Sequence, residues 1–545
     1  MTEKLLFTNK LGRWLVPILL GGLLLLGYWL VGDYGVSWDE AMSHNNGMVT
    51  LKFLLTKFAP DLLTHPGKLA TLIETENLAT YNDRDYGVAF ELPVTMLEYA
   101  LNLTDTRDIY LLRHMCTFFV CWLGIVALYQ LGRRRFQDWR WGLLGVVLLV
   151  CSPRLFGEFF YNDKDAVFMA LCVIATNTTV RFVQRPSWGR ALVHALACAV
   201  AIDVRIMAVI WPLATTALLG LRWARDEYGS RRPAGPLLLY GAGLVVLVVA
   251  MWPYLWDAPR QNFLTAFGNM ASFRWDGPIL YRGIIVSAGG LPWHYVPTWV
   301  GITTPLPHVA LILLGIWTIG RQALRRGWQL FATDTEWQDL LFTGLGLLPV
   351  VAVIVLRSRL YDGWRQLYFI YPSLLLVALR GAAQLVTWWR TTPRRWVPGV
   401  ALALLAVGLC EAALKLVTMH PFQYVYFSPL AGTNVRQKYE TDYWGVSYYP
   451  GLQWLVQQDK RPIIRVAAPQ PMDWPMVFNI NYLPQPDRVR VWMVKDPAEA
   501  DYFLANYRFH PEDFPFQNEI YRLASGSPHH FTIFQLKPIP ENTGQ

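Results

Sequence analysis

The chain has 545 residues, 54% of them hydrophobic and only 16% charged, where a soluble protein carries roughly a quarter. Apolar runs long enough to cross about 30 Å of hydrocarbon recur through its first three quarters, which excludes a soluble globular protein and implies a polytopic membrane protein. The formal net charge of +9 does not imply a nucleic acid partner, because the Arg residues cluster in short loops between apolar spans, where the positive-inside bias puts them.

The first span runs from Trp14 to Val31, after Lys4, Lys10 and Arg13. No small-residue cleavage site follows it, so an uncleaved helix is expected and not a signal peptide. Directly after it come Ser37-Trp38-Asp39-Glu40. An acidic pair at a membrane–water boundary is costly to place and useful for chemistry. The structural reading has Ser37 or Asp39 capping the helix that follows. The functional reading makes one carboxylate a general base for a hydroxyl or amine acceptor, with a pKa raised by dry surroundings. The outer segment 32–106 then holds an amphipathic stretch over 41–58, with Met42, Met48, Val49, Phe53 and Leu54 roughly on one face. A second stretch, 87–103, is apolar, but Glu91 and Glu98 make it an interfacial helix and not a span.

Ten further spans are expected at roughly 107–132, 139–152, 166–182, 190–202, 206–221, 236–254, 299–320, 339–356, 366–386 and 396–417, eleven in all. With the N-terminus in the cytoplasm, every inner loop is basic: Arg133, Arg134, Arg135 and Arg140; Arg181, Arg185 and Arg190; Arg222, Arg225, Arg231 and Arg232; Arg321, Arg325 and Arg326; Arg390, Arg394 and Arg395. The chain is thus expected to be a multi-pass protein of the plasma (inner) membrane with its C-terminal stretch outside. The six Cys residues lie in or at the ends of apolar spans and read as buried apolar side chains, with neither zinc-ligand spacing nor a disulfide framework.

Between the third and fourth spans lies a dense polar loop, Ser152-Pro153-Arg154-Leu155-Phe156-Gly157-Glu158 followed by Tyr161-Asn162-Asp163-Lys164-Asp165. A solvated connection explains charge alone, but not so many aromatic and ionisable groups together. Asp163 and Asp165 suit substrate hydroxyls or the orientation of a partner; Arg154 and Lys164 suit an anion. Asp203 and Arg205 interrupt an apolar run, either as a functional pair or as an ion pair holding the bundle. The outer segment 255–298 is rich in aromatics: Trp252-Pro253-Tyr254-Leu255-Trp256, Ser272-Phe273-Arg274-Trp275-Asp276-Gly277 and Leu291-Pro292-Trp293-His294-Tyr295, with Thr303-Thr304-Pro305-Leu306 beyond. Such loops, with Trp293 and His294, suit sugar faces or lipid headgroups; an interfacial aromatic belt is the competing reading. Arg357, Arg359 and Arg365 run against the positive-inside bias in a short outer loop with Tyr361-Asp362-Gly363-Trp364. A lipid-linked phosphate is a natural ligand for them, and an ion pair with Asp362 the alternative. All these clusters fall on one side of the membrane, which argues for an outward-facing site.

From Thr418 the composition changes. Short β-like runs at 463–468, 489–494, 502–507, 520–524 and 530–536, with a helical run at 452–457, predict a small α/β domain over 418–545 outside the membrane module of 1–417.

An Asp-Glu pair after the first span, an acidic–basic cluster in the next short outer loop and a soluble C-terminal tail resemble the GT-C glycosyltransferases. More closely, the chain is similar to bacterial members of glycosyltransferase family 39, which includes protein O-mannosyltransferases and aminoarabinose transferases acting on lipid A. The resemblance covers about residues 10–420 and is most specific at Trp38-Asp39-Glu40 and 152–165. Asp362-Gly363-Trp364-Arg365-Gln366 and Tyr439-Glu440-Thr441-Asp442-Tyr443-Trp444-Gly445 look like segments of uncharacterised bacterial relatives. The resemblance implies a polyprenyl-phosphate-sugar donor, membrane lipids around it, and inversion at the anomeric carbon. It makes Asp39 the base with Glu40 its neighbour. Asp163 or Asp165 is then the acidic residue that helps set the acceptor or donor site, and Arg and Lys side chains stabilise the departing phosphate. No nucleotide sugar is implied, no tight ligand spacing supports a divalent metal, and the acceptor is left open among protein, lipid and glycan. The competing expectation, a transporter or flippase for a lipid-linked or soluble solute, calls for polar residues near mid-membrane in two related halves. Only Asp203, Arg205, Glu411 and Lys415 are of that kind, and no repeat is present.

Overall fold

The computed structural model describes residues 2–538 except 66, 230–232, 272–274, 330–332 and 525–527. Arg231, Arg232, Ser272, Phe273 and Arg274 therefore lie outside the described residues. Every predicted span is met by helix: Thr2–Leu30, Thr106–Phe136, Trp139–Val150, Asp165–Gln184, Trp188–Val204, Ile210–Ala224, Ala234–Met251, Leu306–Arg326, Asp334–Val355, Tyr371–Thr391 and Trp396–Thr418. Among the described residues, eight helices are long and apolar enough to cross a membrane. Trp139–Val150 is apolar but has 12 residues, which rise only about 18 Å.

The expected span 299–320 is broken. Thr304 is extended and Pro305 follows, so Tyr295–Thr303 ends there and Leu306–Arg326 starts afresh. Proline supplies no N–H and disfavours a helical residue before it.

Close approach of backbones holds the bundle. A Cβ on Gly315 would fall on the Val377 carbonyl, and one on Gly381 on the Leu311 carbonyl, so Leu306–Arg326 and Tyr371–Thr391 meet through bare backbone. On the side read as inner, three basic residues converge on the start of Asp334–Val355. Arg135 grips Asp339 through two 2.6 Å bonds, Arg222 meets Asp334 at 2.9 Å and Arg326 meets Glu336 at 2.8 Å. Acids suit that helix N-terminus, and the paired Arg residues keep them there. At the periphery, Ala234–Met251 and Trp396–Thr418 expose apolar side chains such as Leu238 and Val417. Cys410 is exposed on the latter, contrary to the expectation that all six thiols are buried.

On the other side, Trp38–Phe58 starts at a capping box in which the Ser37 N–H donates to Glu40 Oε2 at 2.7 Å. The apolar stretch after Gly87 forms Glu91–Ala100, whose 10 residues span about 15 Å, half of what a crossing needs. Its acids are satisfied inside the protein: Glu98 takes His44 at 2.7 Å and Lys68 at 2.8 Å, and Glu91 pairs with Arg113.

Two sheets complete the fold. β1 (Pro278–Tyr281) and β2 (Ile284–Ser287) make an antiparallel hairpin in the aromatic loop. The C-terminal stretch holds β3 (Ile464–Ala467), β4 (Val491–Met493), β5 (Tyr502–Ala505), β6 (Glu519–Leu523) and β7 (Phe531–Gln535), ordered β4-β3-β5-β7-β6. β3 runs parallel to β4 and β5, while β7 pairs antiparallel with β5 and β6. These are the five strands the alternating runs anticipated.

The C-terminal stretch is clasped onto the start of Trp38–Phe58. Asn479, fully buried, accepts from the Val36 N–H and donates to the Val36 carbonyl, both at 2.9 Å. The Trp38 N–H donates to the Trp444 carbonyl at 3.0 Å.

Candidate active site

Asp39 and Glu40 sit on consecutive positions of one helical turn, about 100° apart around its axis, and so face different surroundings. Glu40 is turned back into the cap and meets His114 Nε2 at 2.8 Å, with almost no exposure. Asp39 keeps 23% of its side chain exposed and lines a cavity of about 550 Å³.

The lining of that cavity is of two chemical kinds. Ile206, Met207, Ile210, Phe267, Met270, Val353 and Leu356 are apolar. Asp39, Lys164, Arg205, Arg365 and Arg508 are charged, and Trp38, Tyr86, Tyr361 and Trp444 are aromatic. A molecule with an apolar part and an anionic part fits such a lining.

The charged groups are organised around Arg365. One terminal nitrogen donates to Asp39 Oδ2 and Asp165 Oδ2, each at 2.9 Å, and the other meets Asp362 Oδ2 at 3.2 Å. Its guanidinium lies 4.6 Å from the Trp444 ring centroid and 4.8 Å from that of Tyr361. Asp165 Oδ1 holds Arg205 at 2.5 Å, and Asp362 Oδ1 holds Arg508 at 2.5 Å. Lys164 points its ammonium over the Tyr86 ring, 4.7 Å from its centroid.

The electrostatics follow from this arrangement. Burial alone would raise the pKa of Asp39, but Arg365, Lys164 and Arg205 together hold it below the ordinary carboxylate value. The raised pKa expected for a carboxylate in dry surroundings is thus not found at Asp39, because cations outweigh desolvation there. Burial and the Asp362 charge beside it push Glu440 up to about 8, against the lowering effect of Arg508 and Arg365. Burial also pushes Asp163 well above the usual range, with Glu91 adding to the effect and Arg113 opposing it.

Of the residues and segments singled out in the sequence, Trp38, Asp39, Lys164, Arg205, Trp275, Arg359, Tyr361, Asp362, Arg365, Tyr443 and Trp444 line the cavity, and Asp165 bridges Arg205 and Arg365. Other candidates lie elsewhere. Asp163 is buried beside Ser43 at 3.1 Å and Arg113 at 3.5 Å. Arg154 is buried, donates to the Tyr426 carbonyl, and covers the Phe427 ring at 4.7 Å. Trp293 and Arg357 line a neighbouring recess of about 480 Å³, and His294 meets the Tyr281 hydroxyl at 2.6 Å. Glu411 and Lys415 border a third recess near the C-terminal stretch, while Asp203 accepts from the Ala89 N–H at 2.6 Å.

Sequence reasoning missed Tyr86 and Arg508 as cavity residues. Arg508 in particular follows β5 in a region read only for its strands. Asp362 was read as an ion-pair partner and is one, but it serves two guanidiniums at once.

Residues 106–256, which carry Asp163, Lys164, Asp165 and Arg205, match the family model described as dolichyl-phosphate-mannose-protein mannosyltransferase. That match agrees with the resemblance to glycosyltransferase family 39. No curated protein matches. Among solved structures, ArnT from Cupriavidus metallidurans in the apo state is similar over 96% of this chain and 97% of its own, at 14% identity and a TM-score of 0.48. The same protein bound to undecaprenyl phosphate gives 14% identity and 0.47 over 95% and 97%. The apo oligosaccharyltransferase of Archaeoglobus fulgidus gives 9% identity and 0.42 over 76% of this chain and 57% of its own.

Proposed function

We propose that the chain is a membrane glycosyltransferase of the GT-C type that moves a sugar from a polyprenyl-phosphate carrier to an acceptor at the extracytoplasmic face of the plasma membrane. The observation that carries this reading is a cavity of about 550 Å³ whose lining combines many apolar side chains with Lys164, Arg205 and Arg365 and with Asp39, a partly exposed carboxylate held by Arg365. In this reading the N-terminus is cytoplasmic, residues 1–417 form the catalytic module, and 418–545 form an extracytoplasmic α/β unit.

The polyprenyl chain lies against the apolar side chains of the cavity, and Lys164 with Arg205 takes the phosphate. Arg365 is already committed to three carboxylates, so its part is to fix Asp39. The acceptor O–H or N–H gives its proton to the Asp39 carboxylate. Its lone pair forms the new bond to the anomeric carbon from the face opposite the phosphate. The bond from that carbon to the phosphate oxygen breaks, and its electron pair leaves with the lipid phosphate, which Lys164 and Arg205 neutralise. One displacement inverts the anomeric configuration. Because Asp39 is ionised and only weakly basic, it takes the proton late, as the sugar–phosphate bond opens.

Purified protein in proteoliposomes, supplied with radiolabelled polyprenyl-phosphate sugars and membrane extract, tests this. Covalent transfer of label with inverted anomeric configuration and without any nucleotide sugar supports the reading. Label that crosses the bilayer without forming a new bond contradicts it and favours a transporter.

A further inference from the structure

We infer that Arg508, carried by the C-terminal stretch, is a positioning residue for Asp39: it occupies one oxygen of Asp362 and so leaves Arg365 available to hold Asp39 and Asp165. This rests on the reading of Asp39 as the base.

The geometry is a chain of alternating charges from the C-terminal stretch to the cavity. Arg508 meets Asp362 Oδ1 at 2.5 Å, Asp362 Oδ2 meets Arg365 at 3.2 Å, and Arg365 meets Asp39 at 2.9 Å. Asp362 is 3% exposed, so its charge must be balanced by what surrounds it. With Arg508 in place, two guanidiniums share that task and the Asp362–Arg365 contact is the longer one. Without Arg508, Arg365 alone must balance Asp362. The guanidinium is then drawn toward Asp362, and the nitrogen shared by Asp39 and Asp165 is pulled off both.

Arg508 is itself fixed. It donates to the Tyr443 carbonyl at 2.8 Å, and its guanidinium lies 5.6 Å from the Trp38 ring centroid, next to Asp39 in the chain. The groups facing Asp39 are Arg365, Lys164 and Arg205, with Tyr86, Tyr361 and Asp362 beyond them. Asp165 acts on it through Arg365, and Glu440 faces Asp362 and Arg508. Arg508 differs from the other cations in that it reaches Asp39 only through Asp362.

Two readouts test this on the full-length protein in nanodiscs. The first needs no turnover: infrared titration of the Asp39 carboxylate band, assigned by its loss in Asp39→Asn. In Arg508→Gln the band titrates at higher pH than in the wild type. In Asp362→Asn, and in the double variant Asp362→Asn/Arg508→Gln, it titrates lower than in Arg508→Gln, because Arg365 no longer has a buried rival to balance. The second readout is sugar transfer. Arg508→Gln lowers kcat by about ten- to a hundredfold, the scale of a displacement near 1 Å, with donor KM little changed. Arg508→Lys, which keeps the charge, recovers part of the loss. An unmoved Asp39 titration in Arg508→Gln overturns the inference, as does a rise in donor KM at constant kcat, which would make Arg508 a donor contact. If Arg508→Gln does not accumulate as folded protein, the double variant is compared with Asp362→Asn: the two bands titrate at the same pH, because Arg508 acts on Asp39 through Asp362, and a difference between them overturns the inference. Wild-type protein that transfers no sugar contradicts the glycosyltransferase reading, while the titration still decides the role of Arg508.

Discussion

Asp39 and Glu40 are neighbours in sequence and opposites in environment. Glu40 spends one oxygen on the Ser37 N–H and the other on His114. Asp39 faces the cavity and three cations. Separate substitutions distinguish them. Glu40→Gln loses the charged half of the cap and the His114 pair, so it is expected to lower stability by about 1–2 kcal/mol, read as a lower Tm in detergent, with kcat within a few-fold of wild type. Because cations hold the Asp39 carboxylate below its ordinary value, it stays charged in mildly acid solution, and transfer should show no acid limb from Asp39 between pH 7 and pH 5. A limb in that range that disappears in Asp39→Glu would contradict the assignment. The Asp39 position was legible because an acidic pair is conspicuous beside an apolar span. Its partner was not: Arg365 lies 326 residues away, and no local spacing encodes which of three outer Arg residues closes onto it.

The helices were legible for a simpler reason. A run of about 20 apolar residues has few alternatives, and each expected span but 299–320 is met by one continuous helical stretch. The error at 299–320 came from reading hydropathy across Thr304-Pro305, where backbone chemistry breaks the helix while the apolar pattern continues. How helices meet was not legible, since Gly315 and Gly381 are ordinary in an apolar sequence until their facing carbonyls are known. Gly381→Val should force Leu306–Arg326 and Tyr371–Thr391 apart at a cost of about 1–3 kcal/mol. A thermal melt in detergent reads this, and the same change at Gly220, which has open space around it, is expected to cost far less.

At the scale of the whole molecule, the C-terminal stretch is part of the site. It contributes Tyr443, Trp444 and Arg508 to the cavity and, through Asn479, clasps Val36 just before the helix that carries Asp39. Asn479→Ala leaves the buried Val36 N–H and carbonyl without partners and is expected to cost about 2 kcal/mol or more, with a fall in transfer rate that exceeds any change in donor KM. The same junction makes stability depend on pH. Glu440 titrates near 8 when folded, against an ordinary 4.5, so the folded state holds its proton more tightly than the unfolded state does. That contribution is complete below about pH 4.5 and is lost as pH rises through about 8. Glu440→Gln should therefore lose less stability than wild type between pH 5 and pH 8.5. The strands of this stretch were legible from their alternation, and Tyr443 and Trp444 lie in a segment the resemblance singled out, but Arg508 was not legible, because it comes from a loop after β5.

In the proposed function, Asp39 is the base that faces the lipid-borne sugar phosphate. The most direct measurement is the rate of covalent sugar transfer from a radiolabelled polyprenyl-phosphate sugar at saturating donor, compared between wild type and Asp39→Asn. The substitution keeps shape and removes the proton acceptor. The account predicts a fall in kcat of at least about a hundredfold with folding retained and donor KM nearly unchanged. Transfer by folded Asp39→Asn at the wild-type rate would contradict it.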